Sequence, residues 1–252
     1  MAISFSSISS LLGSVYGSFS QNTSAYRGYT SSATTPYGSA AKTSLSSSYT
    51  AAIKSYGRAI SSTNEGLSKI QVAQNGLSTI SSNLSRLQDL AIQASSSTIT
   101  QTDRDKLQAQ ADTIQKQNDQ IIATTKYGSE KLLSSKHTDT VQTGVLSTNT
   151  TTISFSDYTK SFTKVDLSSQ QSATNAITTL TTNVTTADKG LDALNKTRTS
   201  LEGSLNVLNN ATSALTQAQA SSLSLANQMR YGGFSLGSQG SIDPLRALQL
   251  LG

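Results

Sequence analysis

The sequence predicts a mainly α protein: a long helical-bundle or coiled-coil rod with a small β-hairpin region and irregular or short-helical termini. Three observations carry this prediction. Apolar residues recur at steps of three and four, or every seven, over two long stretches of the chain. Between those stretches the period falls to two. No proline stands between Pro36 and Pro244, so long helices meet no interruption from the strongest helix breaker.

Residues 1–48 are rich in Ser, Gly and Tyr, with breakers at Gly13, Gly17, Gly28, Pro36 and Gly38, and read as mostly irregular or short-helical. Tyr16, Tyr26, Tyr29, Tyr37 and Tyr49 suit either a contact surface or half-packing on their own subunit. From Tyr49 a helix is expected, because Ile53, Tyr56, Ile60, Thr63, Leu67 and Ile70 lead into Ala73, Leu77, Ile80, Leu84, Leu87, Ala91 and Ala94 on one stripe. Gly57, Gly66 and Gly76 each cost it about 0.5–1 kcal/mol, so this helix depends on packing, and close helix approach would offset the cost. At about 1.5 Å per residue it would reach on the order of 70 Å.

The stripe stops at Ser95-Ser96-Ser97, and Thr102 followed by Asp105 reads as the N-cap of a second helix. Leu107, Ile114 and Ile121 repeat every seven residues there, with Ala111 between them, until Thr124-Thr125. Residues 49–133 thus form a first helical section. Residues 134–168 are expected to be β, with strands at 151–156 and 162–167 and with Val141 to Leu146 pairing the first through a turn at Thr148-Asn149. Heptads return over 169–222: Ala173, Leu180, Ala187, Leu194, Leu201, Leu208 and Leu215 hold one position, and Ile177, Val184, Leu191 and Leu205 another. Arg198 and Thr212 interrupt the second series, Arg198 as a register-setting group or as a snorkelling cation at the seam edge. In 223–252, Tyr231-Gly232-Gly233-Phe234 and Gly237 to Gly240 read as a loop before the amphipathic Leu245 to Leu251.

Composition narrows function. Charged residues are 13% of the 252 residues, against about 25% in typical soluble domains. Ser, Thr, Asn and Gln take their place, which suits helix faces covered by neighbouring subunits. The 19 Lys and Arg form no run despite the net charge of +5, which argues against nucleic acid. No cysteine is present, which removes disulfides, thiol catalysis and thiolate metal sites. No apolar stretch approaches the roughly 18 residues of a membrane span. The single histidine, His137, lies in a polar stretch with no adjacent carboxylate motif and reads as a solvated loop residue. No catalytic, cofactor or metal site is therefore expected, and the chain does not read as an enzyme.

Three motifs in register carry a family resemblance. Asn83-Leu84-Ser85-Arg86-Leu87-Gln88-Asp89-Leu90-Ala91-Ile92-Gln93 resembles the bacterial flagellin pattern N-L-x-R-[VL]-x-[ED]-L-A-[VI]-Q. Thr102-Asp103-Arg104-Asp105-Lys106-Leu107-Gln108-Ala109 resembles its continuation S-D-R-x-x-[IL]-Q-A. Thr124 to Leu133 is similar to T-x-[FY]-N-G-x-K-L-L, with Gly128-Ser129 where the family has Asn-Gly. Leu223-Ser224-Leu225-Ala226-Asn227-Gln228 resembles L-S-[IL]-A-N-Q near the flagellin C-terminus. The family's motif S-G-x-R-I-N-x-A-x-D-D-A-A is absent from the first residues, and the region between the rod helices is too short for large outer domains.

The resemblance implies a structural subunit that polymerises with copies of itself into the bacterial flagellar filament, serving motility outside the cell. It implies export through the flagellar type III apparatus with a chaperone, growth beneath a filament cap and attachment to hook-associated proteins. It makes 1–48 and 223–252 inner-core segments, while the apolar spacing makes Leu67, Ile70, Leu77, Ile80, Leu84, Leu87, Leu107, Ile114, Ile121, Leu180, Leu194, Leu201, Leu208 and Leu215 the rod-core seam. Arg86 and Leu90 match family positions that contact an innate-immune receptor or a neighbouring subunit, and Gln110 stands where strongly recognised flagellins have glutamate. A hook–filament junction protein, or a secreted monomeric helical effector or adhesin, are the alternative readings.

Overall fold

The computed structural model describes residues 37–236. Helix α1 runs Tyr37–Ala94 and helix α2 Gln101–Thr124. Two short hairpins follow, strands β1 (Lys126–Tyr127) with β2 (Glu130–Lys131) and β3 (His137–Gln142) with β4 (Thr150–Phe155), before helix α3 (Gln170–Leu236). The chain divides into two compact units, residues 59–206, and residues 1–58 with 207–252. The N-terminal Tyr16, Tyr26 and Tyr29 and the C-terminal Leu245 to Leu251 lie outside the described residues.

Within 59–206, α1 turns one stripe inward: Ile70, Ala73, Leu77, Ile80, Leu84, Leu87, Ala91 and Ala94 are buried. Its final turn is closed by the next helix. Arg104, 6% exposed, donates to the Ala94 carbonyl and, at 3.5 Å, to that of Ser96, so a cation serves the negative end of α1. The N-cap of α2 is Thr100, not Thr102. Its hydroxyl accepts from the Asp103 N–H at 3.1 Å and donates to the Asp103 carboxylate at 2.8 Å, a side-chain cap that falls two residues before the expected one. Hydrogen bonds from Lys106 and Thr100 hold the Asp103 carboxyl below its usual range.

The β1–β2 hairpin pairs Tyr127 with Glu130. Gly128, at φ 58°, supplies the left-handed residue that a two-residue loop requires. In the second hairpin His137 pairs with Phe155, Asp139 with Ile153 and Val141 with Thr151. These residues share one face, and it is the inward one, since Val141, Ile153 and Phe155 are buried while Thr138, Thr140, Thr152 and Ser154 are exposed. Strand β3 ends at Gln142, earlier than the expected 141–146 strand, because residues 143–149 make the connection and the Thr143 N–H bonds the Asn149 carbonyl at 2.8 Å. The hairpin approaches α1 at Gly66, where a β-carbon would lie 2.7 Å from Val141 Cγ2 and 3.2 Å from Ile153 Cδ1.

Residues 162–167 form no strand, contrary to their period-two pattern. Helix side chains pair with this segment instead. Asn183 accepts from the Thr163 N–H at 3.1 Å and donates to the Thr163 carbonyl at 2.8 Å. Gln115 does the same for Val165, at 2.8 and 3.2 Å, and the Leu167 N–H donates to Gln108. Asn183 and Gln115 each reproduce the donor–acceptor pair of a neighbouring strand, and Gln108 supplies an acceptor alone, so the segment is extended without a ladder. Val165 and Leu167 are thereby held in the core.

Helix α3 is the second half of that core. Ala173, Leu180, Ala187, Leu194 and Leu201 are buried, but their companions are Ala176 and Asn183. Ile177, Val184, Leu191 and Leu205, the expected second series, are only half-buried. The small residues sit at the closest approach: at Gly190 a β-carbon would collide with the Tyr158 hydroxyl and lie 2.7 Å from Leu77 Cδ2.

In the other unit, α1 starts at Tyr37 rather than Tyr49, so 37–48 is helical and not irregular. Helix α3 continues to Leu236, through the expected loop at Tyr231-Gly232-Gly233-Phe234. Tyr56 and Leu208 are buried there, and burial raises the Tyr56 phenol pKa. Gln219 of α3 donates to the Thr50 hydroxyl of α1 at 3.1 Å.

Candidate functional site: seam, exposed faces and charged cluster

Among the predicted seam residues, Ile70, Leu77, Ile80, Leu84, Leu87, Ile114, Leu180, Leu194 and Leu201 are buried in one core cluster. Leu67, Leu107 and Ile121 are half-buried against it. Leu208 is buried and Leu215 half-buried in the other unit. Two amide pairs cross the seam in 59–206: Asn83 donates to Asn118 at 2.8 Å, and Gln74 to Asn195 at 2.7 Å. Asn83 and Asn118 are both buried, so sliding that separates them costs a buried hydrogen bond, whereas Asn195 is exposed and can turn to water.

The outward faces are polar but largely uncharged. Ser68, Thr79, Ser82 and Ser85 on α1 each donate to the carbonyl four residues earlier, at 2.9–3.2 Å. Thr181, Thr185, Thr186 and Thr199 do so on α3. A hydroxyl already paired within its own helix gives up little when water is removed, so these faces can be covered at low cost. Arg86 and Gln110 are exposed on them, while Leu90, four residues from Arg86, is 9% exposed at the core edge. Ile92, on the same helix as both, is 54% exposed.

One group of charges stands apart. Lys69 Nζ on α1 lies 2.7 Å from Glu130 Oε2 and 2.7 Å from Asp139 Oδ2, with Glu65 3.7 Å away. Burial opposes its charge, but hydrogen bonds to Asp139 and Glu130 outweigh that and raise the ammonium's pKa above its usual value. The ammonium also sits 5.9 Å above the Tyr127 ring. One lysine thus ties helix α1 to both hairpins. His137 is not a solvated loop residue: it lies in β3, stacks on Phe155 at 4.9 Å and has Nε2 2.8 Å from Glu130 Oε1.

Comparison with known proteins finds likeness over part of the chain. Residues 31–138 match the family model of the bacterial flagellin N-terminal helical region. The chain is flagellin-like. A crystal structure of Bacillus cereus flagellin is similar at 24% identity and a TM-score of 0.48, over 60% of this chain and 86% of that one. No curated protein matches the chain.

The matched stretch of this flagellin-like chain includes Lys69, Arg86, Leu90, Gln110, Glu130 and His137; helix α3 lies beyond it. Sequence reasoning missed the charged cluster because its members come from three elements separated by 61 and 70 residues. The one available signal was the spacing of His137 and Asp139, which puts both on one face of a strand once 137–142 is read as one. Among the described residues no helix is long and apolar enough to cross a membrane.

Proposed function

We propose that this flagellin-like chain is a structural subunit that polymerises with copies of itself into the bacterial flagellar filament, outside the cell, and serves motility. The observation that carries the reading is the match of residues 31–138 to the flagellin N-terminal helical region. The geometry supports it. A core that is closed within 59–206, with a buried amide pair opposing slip, leaves outward faces of self-bonded Ser and Thr that neighbouring subunits can cover cheaply. Repeated heterologous contact between identical faces that do not close a ring gives an open helical polymer. In this reading Arg86, Leu90 and Gln110 belong to a contact surface, against a neighbouring subunit or an immune receptor. Export through the type III apparatus with a chaperone, and growth between hook-associated proteins and a filament cap, complete the proposal.

The test is elongation of sheared filament seeds by purified monomer, followed by sedimentation and electron microscopy. A filament subunit lengthens the seeds and pellets with helical order. A junction protein binds the ends without lengthening them, and an effector or adhesin stays in the supernatant; either result overturns the proposal.

A further inference from the structure

Glu130, His137 and Asp139 present one oxygen or nitrogen atom each, all within 4.8 Å of one another. We propose that they form a divalent-cation site of the zinc class, with Glu130 Oε1, His137 Nε2 and the second oxygen of Asp139 as ligands. Three features of the geometry support this.

The histidine is set up as a ligand. Its Nδ1 lies 2.9 Å from the Ser135 carbonyl oxygen, which can only accept, so Nδ1 carries the proton. Nε2 of the neutral ring is therefore a bare lone pair. A ring nitrogen that ligates metal while the other donates to a backbone carbonyl is the usual arrangement at metal centres. Stacking on Phe155, with the rings 21° from parallel, fixes the plane of the imidazole.

The acceptor has no hydrogen-bond donor. Nε2 is buried and makes no hydrogen bond, although Glu130 Oε1 is 2.8 Å away. With the ring neutral, both atoms are acceptors, and their contact lacks hydrogen-bond geometry. Two ligands of one zinc ion, at bonds of about 2.0–2.2 Å and angles near 90–110°, stand roughly 3 Å apart in this off-line manner. A cation between them removes the repulsion. The rival occupant of that space is a second proton on the ring.

Charge and access also favour a cation. Glu65, Glu130 and Asp139 against Lys69 leave an excess of two negative charges around the histidine. Lys69 takes Glu130 Oε2 and Asp139 Oδ2, which fixes both carboxylates and leaves the other oxygen of each outside its grip. The side chains of His137, Glu130 and Asp139 are 22%, 30% and 19% exposed, so an ion at their open edge can keep a water ligand, while Nε2 itself is buried. A mixed nitrogen and oxygen donor set suits zinc or another borderline metal over magnesium or calcium. A bound ion would bridge the two hairpins beside Lys69.

The sequence contains one histidine, so its ring signals in the NMR spectrum report on this site alone. Zinc chloride is titrated into the full chain at neutral pH, with NMR and calorimetry on the same sample. The proposal expects saturable binding of one ion, with the histidine ring resonances moving as it binds and the thermal midpoint rising. His137→Gln and Asp139→Asn, checked for folding by circular dichroism, should each weaken binding by more than the roughly 10- to 100-fold typical of losing an outer-shell partner. Magnesium should leave the ring signals in place. Histidine signals that move with pH but not with zinc would show that a proton is the only occupant, and binding unchanged in both variants would place the ion elsewhere. Either result overturns the assignment.

Discussion

Helix α3 contains two glycines whose surroundings are opposite, and the same substitution at each should change stability in opposite directions. A β-carbon at Gly203 meets nothing within 4 Å. Gly203→Ala therefore gains only the helix-propensity term, about 0.5–1 kcal/mol. At Gly190 the new methyl would overlap the Tyr158 hydroxyl, with Tyr158 Cζ at 3.0 Å and Leu77 Cδ2 at 2.7 Å. Neither neighbour has room to yield. Tyr158 is 6% exposed and stacks on Phe162 at 5.5 Å, its N–H bonds the Leu133 carbonyl at 2.8 Å, and Leu77 is fully buried. Overpacking a filled site costs about 1–3 kcal/mol, so Gly190→Ala should lose up to about 2.5 kcal/mol after the propensity gain is subtracted.

Because both glycines are in one helix and one compact unit, the propensity terms cancel between the two variants. Their difference, about 1–3 kcal/mol, isolates the crowding against Tyr158. Urea unfolding followed by circular dichroism reads it as a raised midpoint for Gly203→Ala and a lowered one for Gly190→Ala, at unchanged slope. Tyr158→Phe should restore part of the loss in the Gly190→Ala background, since the hydroxyl is the atom displaced. If both alanine variants are stabilised alike, α3 does not approach Tyr158 and Leu77 at Gly190, and the packing described for this helix is wrong.

Leu201→Ala removes a fully buried side chain that also packs over Gly66 and should cost about 2–5 kcal/mol; a change below 1 kcal/mol in thermal or urea unfolding would contradict its burial. Gln115→Ala strips both polar partners from Val165 and should cost about 1–3 kcal/mol, with the Val165 amide proton losing hydrogen-exchange protection while those of β3 keep theirs. Stability should fall in alkali, because Lys69 and Tyr158 both have raised pKa values, Lys69 through Asp139 and Glu130 and Tyr158 through burial. Such groups stabilise fully below their unfolded values, near 10, and that contribution is lost as pH rises through the folded values. The thermal midpoint should drop above about pH 10, and less steeply in Lys69→Met; a flat profile would refute the role of the lysine.

The large apolar residues made most of the core legible in the sequence, and small or polar ones hid the rest. Ile70, Leu77, Leu84, Leu180 and Leu201 are readable from spacing alone, since a stripe of branched residues has to find cover. Choosing apolar bulk at the second heptad position of α3 selected Ile177, Val184 and Leu191, which are half-buried and pack against the core cluster from its edge. The inward positions belong to Ala176, Asn183 and Gly190, where the space left by a small side chain is filled by Tyr158 and by the Thr163 backbone. A pattern that scores hydrophobicity reads such positions as solvent-facing, although smallness is what admits the neighbour.

The same physics explains the failed strand. Alternation over 162–167 correctly marks Val165 and Leu167 as inward, because an extended chain alternates whether or not it joins a sheet. Strand status depends on who satisfies the backbone, and here Gln108, Gln115 and Asn183 do. Their amides lie on helices α2 and α3, so nothing local in 162–167 distinguishes a ladder from a strap held by side chains. The charged cluster is hidden for a related reason. His137 looks isolated in the sequence because its carboxylate neighbours are supplied by the β1–β2 turn that returns Glu130 and by the strand register that aligns Asp139. What the chain places on its helix stripes can be read residue by residue, whereas what it assembles by crossing elements, the cation site above all, requires the fold first.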